Sequence, residues 1–287
     1  MLPSTEEYER SLEAFRRRWP NDGYFHQTRR FVETYRLLRN HHAGGRIVDV
    51  GGWPGDFSCT LASLGFDVLL IDRDPDRPTG KVYDPERQHW VLGEGGTLAA
   101  KCRSYGVEVL RCDVERETIA ATDGSFDSIV FTEILEHLRT SPLFALRELR
   151  RVLKPGGVLL LSTPNLLTLK NRVSFLSGRA RYDTLEMPYD ALEAEERIGH
   201  VGHFRIFSMP EVVDLLERTG FRIRYRGYRQ IVPDREPLPP SLYALRMRLY
   251  DWVSARIPAL GNQSSSPVIA SNRGAVYAAC DRRACLR

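Results

Sequence analysis

From residue 46 onward, short apolar runs alternate with stretches of helical periodicity. Ile47 to Val50 is a strand that ends in a Gly/Pro loop, and Phe57 to Leu64 carries a helical pattern. The same alternation gives strands at Asp67 to Asp72, Val107 to Arg111, Phe126 to Phe131 and Val158 to Ser162. Between them it predicts helices over Gly95 to Tyr105, Val114 to Ala121 and Pro142 to Leu153, the last with Leu143, Leu146, Leu149 and Leu153 on its buried side. Strands that are almost continuously apolar, separated by helices, predict a parallel sheet covered on both faces, a doubly wound α/β fold.

The flanks differ. Two helical patterns open the chain, Ser4 to Arg18 and Thr28 to Asn40, separated by the breaker Trp19-Pro20-Asn21-Asp22-Gly23. After Thr163 the regularity lapses, with one helix predicted from Leu166 to Leu176 and then a polar, aromatic-bearing stretch. Helix and strand return at Pro210 to Thr219 and Phe221 to Tyr228, followed by a Pro-rich linker, a helix from Ser241 to Arg256 and a strand from Ala275 to Cys280. The expected division is therefore a helical cap (1–45), a nucleotide-binding core (46–165), a substrate-cap insertion (166–208) and the completion of the core (209–287).

Composition narrows the class. With 42% hydrophobic and 27% charged residues among 287, the chain is an ordinary globular protein, and a net charge of +4 makes no case for a nucleic-acid partner. No apolar run reaches the roughly 18–20 residues of a membrane span, and the first residues are acidic where a secretory leader is basic and apolar. Five scattered cysteines, without CxxC pairs, point to a reduced, cytoplasmic setting.

In such a fold, ligands bind beyond the carboxyl ends of the strands, where the strand order reverses. The loop after the first strand is Gly51-Gly52-Trp53-Pro54-Gly55-Asp56, whose glycines allow the backbone to approach a ligand closely. Asp72 ends the second strand about 20 residues on, where a carboxylate can accept both hydroxyls of a ribose. Cys112-Asp113-Val114 ends the third, where a carboxylate can take an adenine amine.

These residues resemble the motifs of class I S-adenosylmethionine-dependent methyltransferases. Val48 to Gly55 is similar to that family's first motif, Asp72 to its ribose acid, and Asp113 to its adenine-side acid. Phe126 to Val130 with Glu133-Ile134-Leu135-Glu136-His137-Leu138, and Leu153 to Gly157, resemble its fourth-strand signature and the turn before strand five. The resemblance implies a mostly parallel, seven-stranded Rossmann-like sheet and S-adenosylmethionine held by Asp49, Gly51, Gly55, Asp72, Asp113 and Val114. Trp53 departs from it, since the family has glycine there. The acid after strand two disfavours NADP, and the missing GxGxxG disfavours nicotinamide cofactors generally.

Methyl transfer to a hydroxyl needs a base. The candidates are His137, His200 and His203, with Tyr24 and His26 as contributors from the N-terminal cap. Glu133, Glu136 and His137 stand at i, i+3 and i+4, so a helical turn would gather them on one face, with His203 as a fourth ligand for a divalent ion. This E-x-x-E-H pattern resembles metal-dependent O-methyltransferases of small-RNA ends and of quinone biosynthesis. The expected acceptor is a small-molecule, quinone or glycan hydroxyl. The alternatives are an RNA ribose 2′-O-methyltransferase and a non-catalytic cofactor-binding partner subunit. The helix at 241–256 interleaves Leu242, Leu245, Leu249, Trp252 and Val253 with Arg246, Arg248 and Arg256, a pattern for docking on the core or for peripheral contact with an anionic membrane.

Overall fold

Strand residues that alternate between two apolar layers organise the fold. A computed structural model describes residues 2–19, 28–42, 44–84, 89–92, 96–176, 203–230, 252, 264–265 and 268–272. The main sheet contains β1 (Arg46–Val50), β2 (Asp67–Asp72), β5 (Glu108–Arg111), β6 (Phe126–Thr132), β7 (Leu153–Ser162), β8 (Phe221–Arg226) and β11 (Val268–Asn272), in the order β5-β2-β1-β6-β7-β11-β8. β5, β2, β1, β6 and β7 run parallel, and β11 is antiparallel to both of its neighbours. The chain builds outward from β1 through β2 to β5, then returns to β1's other side with β6. That reversal opens the crevice between β1 and β6 at the carboxyl edge.

Because side chains alternate across a strand, each strand feeds both layers. Val48, Val50, Leu69, Ile71, Ile129, Phe131, Leu159 and Leu161 pack with α5 (Pro142–Val152) and α7 (Met209–Arg218). Ile47, Val68, Leu70, Val130, Val158 and Leu160 pack on the opposite face with α1 (Thr5–Arg18), α2 (Thr28–His41), α3 (Asp56–Ser63) and α4 (Leu98–Arg103). The N-terminal helices thus close one face of the sheet. Ser4 and Glu7 form a reciprocal cap on α1, and Tyr8 stacks on Tyr35 of α2 with ring centroids 4.3 Å apart.

The structure differs from the sequence reading in several places. Val114 to Ala121 is not a helix. The Arg151 guanidinium donates to the carbonyls of Ile119 and Ala121, both at 2.8 Å, and holds the segment as a loop. The helix expected from Leu166 starts later, as α6 (Leu169–Leu176), because the Asn165 side chain captures the Leu167 amide at 3.0 Å. A hairpin of β3 (Lys81–Asp84) and β4 (His89–Leu92), with no counterpart in the sequence reading, stands outside the main sheet. A short pair, β9 (Arg229–Gln230) with β10 (Ser264–Ser265), was also not foreseen. The strand expected at Ala275 to Cys280 lies outside the described residues, as does the helix at Ser241 to Arg256 except for Trp252. Among the described residues, no helix is long and apolar enough to cross a membrane.

Leu12 of α1 and Leu146 of α5 are both buried, one in each layer. Leu12→Ala and Leu146→Ala should each cost about 2–5 kcal/mol in denaturant unfolding, through a single transition seen alike by fluorescence and circular dichroism. A separate, earlier transition in Leu12→Ala would show that α1 is not part of the cooperative core.

Candidate active site

The loop after β1 turns back at once. The Gly51 amide donates to the Ile71 carbonyl at 2.7 Å, and a Cβ on Gly51 would collide with the Ile134 side chain. Gly55 caps α3 with φ +95°, a left-handed conformation that favours glycine. Asp49, at the end of β1, is buried and accepts a hydrogen bond from the Ser58 hydroxyl at 2.5 Å. Burial pushes its carboxyl up to about 6, against the opposing pull of Ser58. Trp53 packs, partly buried, against the layer of α1 to α4: its indole N–H donates to the Pro78 carbonyl at 3.2 Å, and the Arg77 guanidinium lies 4.6 Å over its ring.

Asp72, at the end of β2, is buried and accepts the Asp74 amide at 2.8 Å. Burial raises its pKa, with the Asp74 amide pulling the other way. Asp113, after β5, accepts the Glu115 amide at 3.1 Å and donates its own amide to Glu117 at 3.0 Å, with buried Val114 beside it. Asp49 and Asp72 therefore lie at the carboxyl ends of β1 and β2, and Asp113 just past that of the adjacent β5.

Across the crevice, the expectation of a helical Glu133–His137 face is corrected. Glu133 has φ +56°, and only Leu135–His137 forms a single 3₁₀ turn. Glu133 is drawn toward β7 instead, its carboxylate accepting the Ser162 hydroxyl at 2.6 Å and its amide donating to the Ser162 carbonyl at 2.8 Å. It stands outside the group that does converge. Glu136, His137 and His203 each offer a ligand atom, and these atoms lie within 4.8 Å of one another. The rings of His137 and His203 meet edge to face with centroids 4.9 Å apart, and His137 Nε2 lies 3.9 Å from Glu136 Oε1.

The bond that assembles this group is local to Glu136. Its carbonyl accepts the Phe204 amide at 2.8 Å, which brings His203 across from a distant part of the chain. The Glu136 side chain is fully buried. Oε2 accepts the Thr163 hydroxyl at 3.0 Å, and Oε1 has no hydrogen-bond partner among the described residues. Burial, followed by the Glu133 charge, holds its pKa well above the usual carboxylate range. Ser58, Ser162 and Thr163 went unnoticed as partners of acids, because their signal is only proximity in space. Tyr24, His26 and His200 lie outside the described residues.

A family described as a methyltransferase domain matches residues 24–225. A ubiquinone biosynthesis O-methyltransferase of Xanthomonas oryzae pv. oryzae is 36% identical over 123 residues, 43% of this chain and 44% of that protein. A protein of Mycolicibacterium smegmatis named as a probable S-adenosylmethionine-dependent methyltransferase is 34% identical over 195 residues, 68% of this chain and 59% of its own. The chain thus spans about half the length of the curated relatives it matches. In fold alone, it is similar to the crystal structure of a SAM-dependent methyltransferase from Archaeoglobus fulgidus, with TM-score 0.50 and 13% identity over 84% of this chain and 92% of that one. The matched span, its order of strands and its acids together show that the chain belongs to the class I S-adenosylmethionine-dependent methyltransferase family.

Proposed function

We propose that the protein transfers the methyl group of S-adenosylmethionine to a hydroxyl of a small molecule, a quinone precursor or a glycan. The observation that carries this reading is the division of one crevice. Asp113, Asp72 and Asp49 stand at or just past the carboxyl ends of β5, β2 and β1, and Glu136 and His137 follow β6, joined by His203 from the segment before α7. In this reading Asp72 accepts the ribose hydroxyls, and Asp113 with Val114 holds the adenine. Asp49, Gly51 and Gly55 shape the methionine end. The acceptor oxygen attacks the methyl carbon in line; the C–O bond forms as the C–S bond breaks, and sulfur keeps the electron pair. His137, partly exposed, takes the hydroxyl proton, with Glu136 Oε1 3.9 Å from its Nε2 and the His203 ring set edge to face against it. Exposed apolar side chains on Phe204 and on α6 at Val173, Phe175 and Leu176 favour an acceptor with apolar surface, and the small net charge of +4 makes no case for RNA.

A second reading is favoured by Glu136 Oε1, a buried carboxylate oxygen that has no hydrogen bond among the described residues and stands beside two imidazoles. One carboxylate and two imidazoles fit a divalent ion. With Glu133 out of the set, this donor chemistry leans from magnesium toward manganese, iron or zinc. Such an ion, when bound, lowers the pKa of the acceptor hydroxyl.

Asp72→Ala should weaken S-adenosylmethionine binding by about 1.5–3 kcal/mol in calorimetry, with a smaller loss in Asp113→Ala. Wild-type affinity in Asp72→Ala would refute the ribose assignment.

The raised Asp49 carboxyl gives a pH signature. Its folded value of about 6 lies above its ordinary 3.8, so the folded state binds the extra proton. Stability should therefore decline as pH rises through this window, by at most about 3 kcal/mol for a shift of this size, and then level off. A cationic ligand prefers the ionised form, so cofactor affinity should increase with pH up to about 6. Asp49→Asn should flatten both profiles, and retention of either slope would contradict the assignment.

Exhaustive chelation separates the two site readings. If an ion acts there, turnover should disappear while S-adenosylhomocysteine binds as before. If His137 alone takes the proton, activity should survive chelation and fall at least about 100-fold in His137→Gln. Full activity in both conditions would remove the cluster from the reaction.

A further inference from the structure

Lys101 of α4 is fully buried, beneath the loop that follows β1. A buried ammonium is costly unless paired and hydrogen-bonded, so its partners show what it is for. Its Nζ donates to the Pro54 carbonyl at 2.7 Å and lies 3.5 Å from Asp56 Oδ1. The rings of Phe15 and Trp19 flank it at 4.8 and 5.6 Å, and Arg16 of α1 reaches the other oxygen of Asp56 at 3.5 Å. Asp56 is itself buried.

The Pro54 carbonyl and the Gly55 amide belong to one peptide unit. Lys101 holds its oxygen, and the Gly55 N–H donates to the Gly52 carbonyl at 2.7 Å. The peptide plane is therefore pinned at both ends, one residue before the first turn of α3. Asp56 opens that turn and is the carboxylate shared by Lys101 and Arg16. Leu98 and Cys102, on either side of Lys101 along α4, would stand 3.2 and 3.3 Å from a Cβ on Gly55, so the helix presses directly against the loop.

We propose that Lys101 is a positioning residue for the cofactor loop, fixing the Pro54–Gly55 peptide plane against the methionine end of S-adenosylmethionine. The proposal rests on the reading of residues 51–56 as the cofactor loop. Lys101 touches no cofactor in this account; it acts through the backbone, by removing the freedom of the loop before the ligand arrives.

The test is calorimetric titration of the full chain with S-adenosylhomocysteine, together with hydrogen exchange at the Gly55 amide. Lys101→Met leaves Asp56 paired with Arg16, so no charge is stranded, and Lys101→Leu is made beside it as a second neutral replacement. Both should bind roughly 5- to 20-fold more weakly and exchange the Gly55 amide about tenfold faster. Leu216→Ala, in the layer on the far face of the sheet, serves as the control for lost stability. At a matched loss of Tm it should bind as the wild type does. Wild-type affinity in either variant, or equal weakening in Leu216→Ala, overturns the proposal. Failure of the wild type to bind S-adenosylhomocysteine at all would instead sink the reading of the loop.

Discussion

Between Val50 and Asp56 the chain leaves a parallel strand, reverses, and enters a helix, with space on its inner side for backbone only. Gly51 lies so close to Ile134 that any Cβ there would displace it. Ile134 in turn sits between Glu133, in its left-handed conformation, and the short turn that carries Glu136 and His137. The Ile134 side chain of the loop after β6 therefore fills the space that a side chain on Gly51 would need, which makes the two loops neighbours across the crevice. The β1 loop is held further by Trp53 on Pro78 and, from beneath, by Lys101 on Pro54. The close approach at Gly51 is thus the constraint that ties the β1 side of the crevice to the β6 side.

The two apolar layers make this precision possible. Each central strand contributes alternate residues to opposite faces, so neither layer can shift without disturbing the other. Among the buried charged residues, Asp49, Asp56 and Lys101 belong to the layer formed by α1 to α4, with Arg16 paired to Asp56, and they lie under or beside the first loop. Buried charge is concentrated where the backbone must be held still. The opposite layer, with α5 and α7, spends its polar contacts on fixing connections, as Arg151 does for the segment before β6.

What could be read from the chain depended on whether the signal was local. The apolar runs gave β2 at its observed limits, and the spacing from the glycine loop to Asp72 survived because strand lengths in a parallel sheet are tightly set. The E-x-x-E-H spacing was misread as a helical face. Spacing implies a shared face only on a helical backbone, and the left-handed Glu133 is imposed by Ser162 and by the packing of Ile134, far away in sequence. His203 nevertheless joined Glu136 and His137, through a backbone hydrogen bond that no periodicity announces. Lys101 was invisible for the opposite reason: a lysine in a short amphipathic helix ordinarily points to solvent, and only the tertiary pairing with Asp56 and Pro54 marks it as internal.

The central claim is that one crevice at the β1/β6 reversal holds cofactor and acceptor groups face to face. It is tested most directly by a crystal structure with S-adenosylhomocysteine. The account predicts the ribose hydroxyls on Asp72, the adenine beside Asp113 and Val114, and the sulfur turned across the crevice toward His137, Glu136 and His203. A nucleoside bound away from Asp72, or a sulfur walled off from the histidine pair by protein, would contradict it.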